Sequence, residues 1–199
     1  MTTMPFDKVS FLYDFVETHI LHDYQGSIAL CQQYLEVYDD DRVLDLGGGT
    51  GFFSQFLAKR VQQVVTFDSS RKMLRKNRFP SMTNIQGYGQ ALPFQDECFD
   101  LVVLVHVLHH IPTAYQQHVI DECFRVVIPS GRVFVIEVFF PQTFWNKVFS
   151  TIEDFFVGKT DHIAAETLHS YLTAGGFENI MMTNPQDHSW KYVAIGYKK

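Results

Sequence analysis

Hydrophobic and polar positions along this chain switch repeatedly between a helical and an extended pattern. Ser27 to Val37, SIALCQQYLEV, carries Ile28, Leu30, Cys31, Tyr34 and Leu35 on one side of a helix. Asp39, Asp40 and Asp41 form a polar break before a first strand at Arg42–Leu46. Phe52, Phe53, Phe56 and Leu57 return to helical spacing, QVVTF is a second strand ending at Asp68, and Ser70 to Asn77 reads as a short helix. TNIQGYG, from Thr83, is a weak third strand. FDLVVLV, Phe99 to Val105, is a continuous apolar run of the kind that parallel strands covered on both faces show. Tyr115 to Val127 is helical, with Val119, Ile120, Cys123, Phe124 and Val127 in register and IPSG as its stop, and a long strand follows over Arg132 to Phe139. Thr143 to Val157 is again amphipathic. Glu166 to Ala174 predicts a helix closed by Gly175 and Gly176, and two strands, NIMMT and WKYVAIGY, end the pattern.

Strands alternating with helices predict an α/β fold, a mostly parallel sheet with helices on both faces. No repeat, low-complexity tract or linker divides the 199 residues, which suit one domain. With 46% apolar and 19% charged residues the composition is globular, which excludes disorder as the working state. A net charge of −6 supplies no general attraction for nucleic acid. Cys31, Cys98 and Cys123 are far apart with no CxxC pair, which suits a reducing compartment. MTTMPFDKVS lacks the basic and apolar regions of a signal peptide, and LVVLVHVL is too short to span a bilayer. The expectation is a soluble, cytoplasmic protein.

The densest chemical signal is VLDLGGGTGFF, Val43 to Phe53, where a strand runs into four glycines within five positions. Glycine costs conformational entropy, so such a cluster belongs where backbone turns sharply or something approaches it closely. In a doubly wound sheet, ligands sit at the carboxyl ends of the strands. A dinucleotide loop needs G-x-G-x-x-G, yet counting from Gly47 the third glycine falls on Phe52, and from Gly49 on Ser54. The pattern that fits is acid-x-G-x-G-x-G: Asp45, Gly47, Gly49, Gly51.

This pattern resembles the first motif of the class I S-adenosylmethionine-dependent methyltransferases, and the likeness extends from about Asp41 onward. TFDSS resembles the second-strand acid that holds ribose hydroxyls, GQALPF the segment lining the adenine, and FDLVVLVHVLHHIP the fourth strand and its loop. FRVVIPSGRVFVIE resembles the turn into the fifth strand, and AGGFENI the turn before the sixth. The resemblance implies a seven-stranded Rossmann-like sheet whose last strand is antiparallel. It implies S-adenosyl-L-methionine as cofactor, with S-adenosyl-L-homocysteine as product. The implied cofactor residues are Tyr13, Asp45, Leu46, Gly47, Gly49, Gly51, Phe52, Asp68, Ser69, Met73, Gly89, Gln90, Ala91, Val105 and His106. It also divides the single domain, 1–199, into a helical cap over 1–40, a cofactor core over 41–138, a short aromatic lid over 139–160 and a helix with a strand pair over 161–199.

FDKVSFLYDF, Phe6 to Phe15, resembles the opening of the quinone-biosynthesis C-methyltransferases and some phospholipid methyltransferases. There a YD pair helps close the cofactor site, and Tyr13 and Asp14 are the matching positions; ordinary packing of an N-terminal helix is the competing account. Two departures stand out. Many relatives carry an acid near the adenine where this chain has Tyr88, so the resemblance leaves the adenine amino group to Gln90, a backbone carbonyl or water. Tyr88 itself reads either as stacking on or recognising the adenine or as a surface tyrosine near a turn. The quinone enzymes tend to an Arg-Asn pair where this chain has His109-His110.

Transfer of a methyl group from a sulfonium needs alignment above all, and a base only when the nucleophile must lose a proton. His106, His109, His110 and Tyr13 are the candidates for that role, with His106 also a candidate for lining the pocket. His106 and His110 are four residues apart but lack the glutamate of H-E-x-x-H, so no metal is expected. Glu137 reads either as facing the substrate or as a satisfied strand-end acid. Phe144, Val148, Ile152 and Phe155 form a stripe flanked by Trp145, Phe149 and Phe156, which suits either a lid over an apolar, lipid-like acceptor or ordinary core packing. The expected function is methyl transfer to a small acceptor of that kind. The alternative is a non-catalytic cofactor-binding subunit that supports a partner protein. No nucleic acid partner is expected, contact with a membrane surface stays open, and the chain is a monomer or a homodimer.

Overall fold

The structure is a computed structural model and describes residues 24–77, 82–138, 161–185 and 191–199. Its strands are β1 (Arg42–Leu46), β2 (Gln63–Asp68), β3 (Met82–Gln86), β4 (Phe99–Val105), β5 (Val127–Val138), β6 (Glu178–Thr183) and β7 (Lys191–Tyr197). Its α-helices are α1 (Tyr24–Tyr34), α2 (Phe52–Leu57), α3 (Arg71–Leu74), α4 (Thr113–Val126) and α5 (Ala165–Ala174), with a 3-10 turn at Leu108–His110. The strands form one sheet in the order β3-β2-β1-β4-β5-β7-β6, in which only β7 runs against the others. The expected seven-stranded, doubly wound α/β architecture is therefore the observed one.

The apolar runs of β1 and β4 divide between two layers because successive strand residues point to opposite faces. Val43, Leu101 and Val103 pack with Leu30, Cys31, Phe53 and Leu57 on one side. Leu44, Leu46, Val102 and Leu104 pack with Val119, Ile120, Cys123, Leu168 and Leu172 on the other. Strand β1 pairs with β2 on one edge and with β4 on the other, so chain order reverses at the carboxyl ends of β1 and β4. A crevice forms there.

Several element boundaries move, each for a tertiary reason. The first helix runs Tyr24–Tyr34 rather than Ser27 to Val37. The chain beyond it is held by Arg132, whose Nη2 donates to the Glu36 carbonyl and to Asp41 Oδ2, both at 2.5 Å. The helix expected over Ser70 to Asn77 is only Arg71–Leu74, capped by the Ser70 hydroxyl. Asn77 turns inward and its amide donates to Thr66 Oγ1 at 3.2 Å and Asn84 Oδ1 at 2.8 Å. Strand β5 starts at Val127, five residues before Arg132, but its register against β4 jumps from Phe99↔Val127 to Leu101↔Arg132, so Ile128 to Gly131 bulge out. After α5 the left-handed position is Gly176, at φ 100°, while Gly175 keeps a helical backbone.

Candidate active site

The loop after β1 is built from positive-φ glycines: Gly47, Gly49 and Gly51 have φ of 77°, 53° and 80°. The N–H groups of Gly47 and Gly48 donate to the Phe67 carbonyl, at 2.7 and 3.2 Å, and tie the loop to the end of β2. The glycines do different work. A Cβ on Gly47 would lie 2.5 Å from Val107, one on Gly48 would lie 2.6 Å from Thr66, and one on Gly51 would lie 2.3 Å from Asn77. At Gly49 the nearest atoms are 3.9 Å away, so its bare face opens onto space. Three glycines let the loop pack, and the fourth leaves room for a ligand. Gly51→Ala is accordingly expected to lower stability by about 1–3 kcal/mol through overpacking, read as a fall in urea midpoint.

Beside this loop lies a cavity of about 310 Å³, within the size range of small-molecule sites. From the β1 loop and α2 it takes Asp45, Leu46, Gly47, Gly49 and Phe52; from the end of β2 and from α3, Asp68, Ser69 and Met73. Gly89 and Gln90 line it after β3, and Val105, His106 and His110 after β4. These thirteen residues lie far apart in sequence and are brought together by the sheet order. Phe67, Val107, Ile111, Pro112 and Tyr115 line it as well and were not expected. Ile111 and Pro112 belonged to a recognised segment, but nothing in the hydrophobic pattern set Tyr115 apart from an ordinary first-turn residue of α4.

Three of the residues named from the sequence stand off the cavity wall. Gly51 does not line the cavity; it opens α2 and faces Asn77. Ala91 does not line it either, and its N–H closes a turn onto the Tyr88 carbonyl at 3.0 Å. His109, named as a possible base, lies behind the wall and is fully buried, with Nδ1 2.6 Å from Glu137 Oε2. Glu137 likewise does not face a substrate: its Oε1 accepts the N–H groups of Val107 and Leu108 at 3.0 and 2.6 Å. Burial pushes the Glu137 carboxyl up, but the His109 charge and hydrogen bond and the two backbone donors outweigh it and hold the group below the ordinary carboxylate range. An ionised carboxylate only accepts, so His109 donates from Nδ1. The pair braces the loop that carries His106 and His110. Tyr13, Asp14, Trp145, Phe149 and the rest of the proposed lid lie outside the described residues.

Asp68 holds the loop in place with its own side chain. Oδ2 accepts the Gly49 N–H at 2.9 Å and Oδ1 accepts the Ser70 N–H at 2.7 Å. A carboxylate offers about four acceptor positions, so this is compatible with holding a pair of ligand hydroxyls. Asp45 is buried under the glycines, accepting from the Ser54 hydroxyl. Burial pushes its carboxyl up to about 7, the nearby Asp68 charge adds to that, and the Ser54 bonds oppose it. Because this folded value lies above the ordinary 3.8, the contribution to stability is full below pH 3.8 and is lost as pH rises through about 7. Asp45→Asn should therefore show a flatter stability profile between pH 5 and 8 than the parent in urea titrations.

His106 sits at the end of β4 with φ 58°, its N–H donating to the Ile136 carbonyl at 2.9 Å. Its Nε2 lies 2.9 Å from Ser27 Oγ, and that hydroxyl also accepts from Lys191 Nζ at 3.1 Å. His110 shares the cavity wall with it. Among the described residues no cluster of His, Cys, Asp or Glu could hold a metal ion, and no helix is long and apolar enough to cross a membrane.

An acid at the end of the second strand, an open-faced glycine beside it and a cavity at the switch point fit a nucleoside with an amino acid tail. The chain belongs to the class I S-adenosylmethionine-dependent methyltransferases, and a methyltransferase domain family matches residues 44–135. Among its relatives, a demethylmenaquinone methyltransferase of Lactobacillus johnsonii is 30% identical over 179 residues, 75% of this chain and 72% of that protein. A demethylmenaquinone methyltransferase of Streptomyces griseus is 38% identical over 107 residues, 53% of this chain, and the chain spans only 45% of that relative's length. The fold is shared with a solved S-adenosylmethionine-dependent methyltransferase of Thermotoga maritima, TM-score 0.77 at 19% identity, covering 98% of this chain and 99% of that one.

Proposed function

We propose that this chain binds S-adenosylmethionine in the cavity and methylates a small, apolar acceptor of the quinone class. The observation that carries the cofactor reading is Asp68 bonded to the Gly49 N–H, with the side-chain-free face of Gly49 open to the cavity. When bound, the cofactor supplies an activated methyl group on a positively charged sulfur. Asp68 would hold the ribose hydroxyls, and the Gly47–Gly49 backbone would lie against the amino acid end. The Glu137–His109 pair keeps the opposite wall rigid, which matters because alignment can supply much of the rate. Where the acceptor must lose a proton, His106 and His110 are, among the described residues, the cavity-lining imidazoles suited to take it. Ile111, Pro112 and Tyr115 give that side an apolar, aromatic character, and two relatives are named for demethylmenaquinone.

The test is transfer of a radiolabelled methyl group to reduced demethylmenaquinone and, in parallel, to a charged water-soluble acceptor such as phosphoethanolamine. Label in the organic phase alone supports the reading. Transfer only to the charged acceptor overturns the acceptor class. Tight cofactor binding with transfer to neither overturns the proposed activity.

A further inference from the structure

Among the described residues, the imidazoles that line the cavity are those of His106 and His110, and the sheet puts a different charge beside each. Successive residues of a strand point to opposite faces. On β7, Val193 and Ile195 pack in the layer of Leu30 and Cys31 of α1, so Lys191 points there too. Tyr192 and Ala194 pack in the other layer, as does Val135 of β5, and that is also the face of Glu137. The sheet therefore stands between the Lys191 ammonium and the Glu137 carboxylate. The segment after β4 crosses its end, since Val105 packs in the Lys191 layer and Leu108 in the Glu137 layer. His106, with φ 58°, meets the lysine: Lys191 Nζ donates to Ser27 Oγ at 3.1 Å, and that oxygen lies 2.9 Å from His106 Nε2. All three side chains are buried. His109 meets the carboxylate, with Nδ1 2.6 Å from Glu137 Oε2, and the His110 ring lies against His109, centroids 4.0 Å apart. The other titratable groups on that side are His162, stacked on His109 at 5.7 Å, and Tyr192, whose hydroxyl donates to the Ile163 carbonyl at 2.8 Å.

We propose that His110 is the base of the site and that Lys191, acting through Ser27, keeps His106 neutral as part of the wall. This rests on the methyl-transfer reading above. A hydroxyl that accepts from an ammonium is a stronger donor in its turn, so the chain runs from Lys191 through Ser27 to His106 Nε2. That fixes the His106 proton on Nδ1 and occupies the nitrogen able to accept another. The lysine charge, one hydroxyl away, opposes a second positive charge in buried surroundings. His110 has the reverse setting, because the Glu137 carboxylate lies beyond the His109 ring and an anion on that side favours an imidazolium. Like residues in opposed surroundings divide the work between them. The proton taken is that of an acceptor hydroxyl: its O–H bond breaks, the electron pair stays on oxygen, and an N–H bond forms on His110. Once the methyl is in place, His110 returns the proton to that oxygen as the methylated carbon loses its own hydrogen to solvent.

Nitrogen-15 NMR of the parent and methyl transfer to reduced demethylmenaquinone test this together. At neutral pH the His106 ring should be uncharged with its proton on Nδ1, and Ser27→Ala should disturb that tautomer in a protein that stays folded. A parent His106 that is charged, or protonated on Nε2, overturns the donor chain. His110→Ala should lower kcat about a hundredfold or more, as loss of a general base does, with S-adenosylhomocysteine affinity held within about threefold by calorimetry. Added imidazole should restore part of that rate, which a merely structural loss would not allow. His106→Asn, a residue that tolerates positive φ, should lower kcat by less than about tenfold, the scale of one hydrogen bond. Adding Ser27→Ala to it should cost little more, because both act through the same contact. A His106→Asn loss as large as that of His110→Ala, rescued by imidazole, makes His106 the base and overturns the assignment. Full rate in His110→Ala overturns it as well. A parent that binds S-adenosylhomocysteine and transfers no methyl overturns the methyl-transfer reading, while the NMR result still decides the chain from Lys191 to His106.

Discussion

Glu137→Ala is expected to destabilise the protein by about 3–5 kcal/mol, the range for breaking a buried charged pair from one side. The carboxylate is fully buried and joins three donors: His109 Nδ1 and the N–H groups of Val107 and Leu108. Removing it leaves all three without that acceptor in a place water does not reach, so the loss comes from desolvated donors more than from one missing contact. Glu137→Gln should fall between the parent and the alanine variant, because one amide oxygen can still accept. Replacing Glu137 and His109 together by leucine should cost less than the sum of the single alanine changes, since no uncompensated partner remains. The acid limb carries a further signature. The Glu137 carboxyl is held below its ordinary range in the folded state, so its contribution is present at neutral pH and is lost as pH falls through that depressed value. Urea unfolding followed from pH 7 downward should show a loss in the parent that the double leucine variant lacks.

Asp68→Ala is expected to weaken S-adenosylhomocysteine binding about ten- to hundredfold, as losing a charged hydrogen-bond partner worth roughly 1.5–3 kcal/mol would. The residue holds the Gly49 N–H at 2.9 Å, and in the proposed site it would offer its other acceptor positions to the ribose. Gly49→Val should reduce binding at least as much. Its φ of 53° disfavours a β-branched residue, and its side chain would enter the open space that the ligand is proposed to fill. The two variants separate by calorimetry and thermal unfolding together. Both should lose affinity, whereas Gly49→Val should also lose a little stability through backbone strain. Unchanged affinity in a folded Asp68→Ala protein removes the ribose assignment.

Much of this architecture is written in local pattern. The apolar run Phe99–Val105 had to become a central strand because each of its successive side chains needs a buried face, and β1 and β2 lie where their own runs place them. The spacing of Asp45, Gly47, Gly49 and Gly51 marked the positive-φ turn after β1, because such backbone against a strand end is a demand that one short segment can state alone. Local pattern says nothing about which polar groups will meet across the fold. Asp41 read as part of a polar break, yet it is buried against Arg132, 91 residues away. His109 and His110 are adjacent in sequence and share the same chemistry. Only the 3-10 turn at Leu108–His110, fixed by Glu137 from another strand, sends one into the core and leaves the other on the cavity wall. The same holds for Gly49 and Gly51, equivalent in the motif, of which one faces open space and the other faces Asn77. Hydrophobic periodicity and glycine spacing are satisfied within a few residues, so they can be read along the chain. Burial of a charge is decided by partners that arrive from distant strands, and it exists only once the sheet has brought them together.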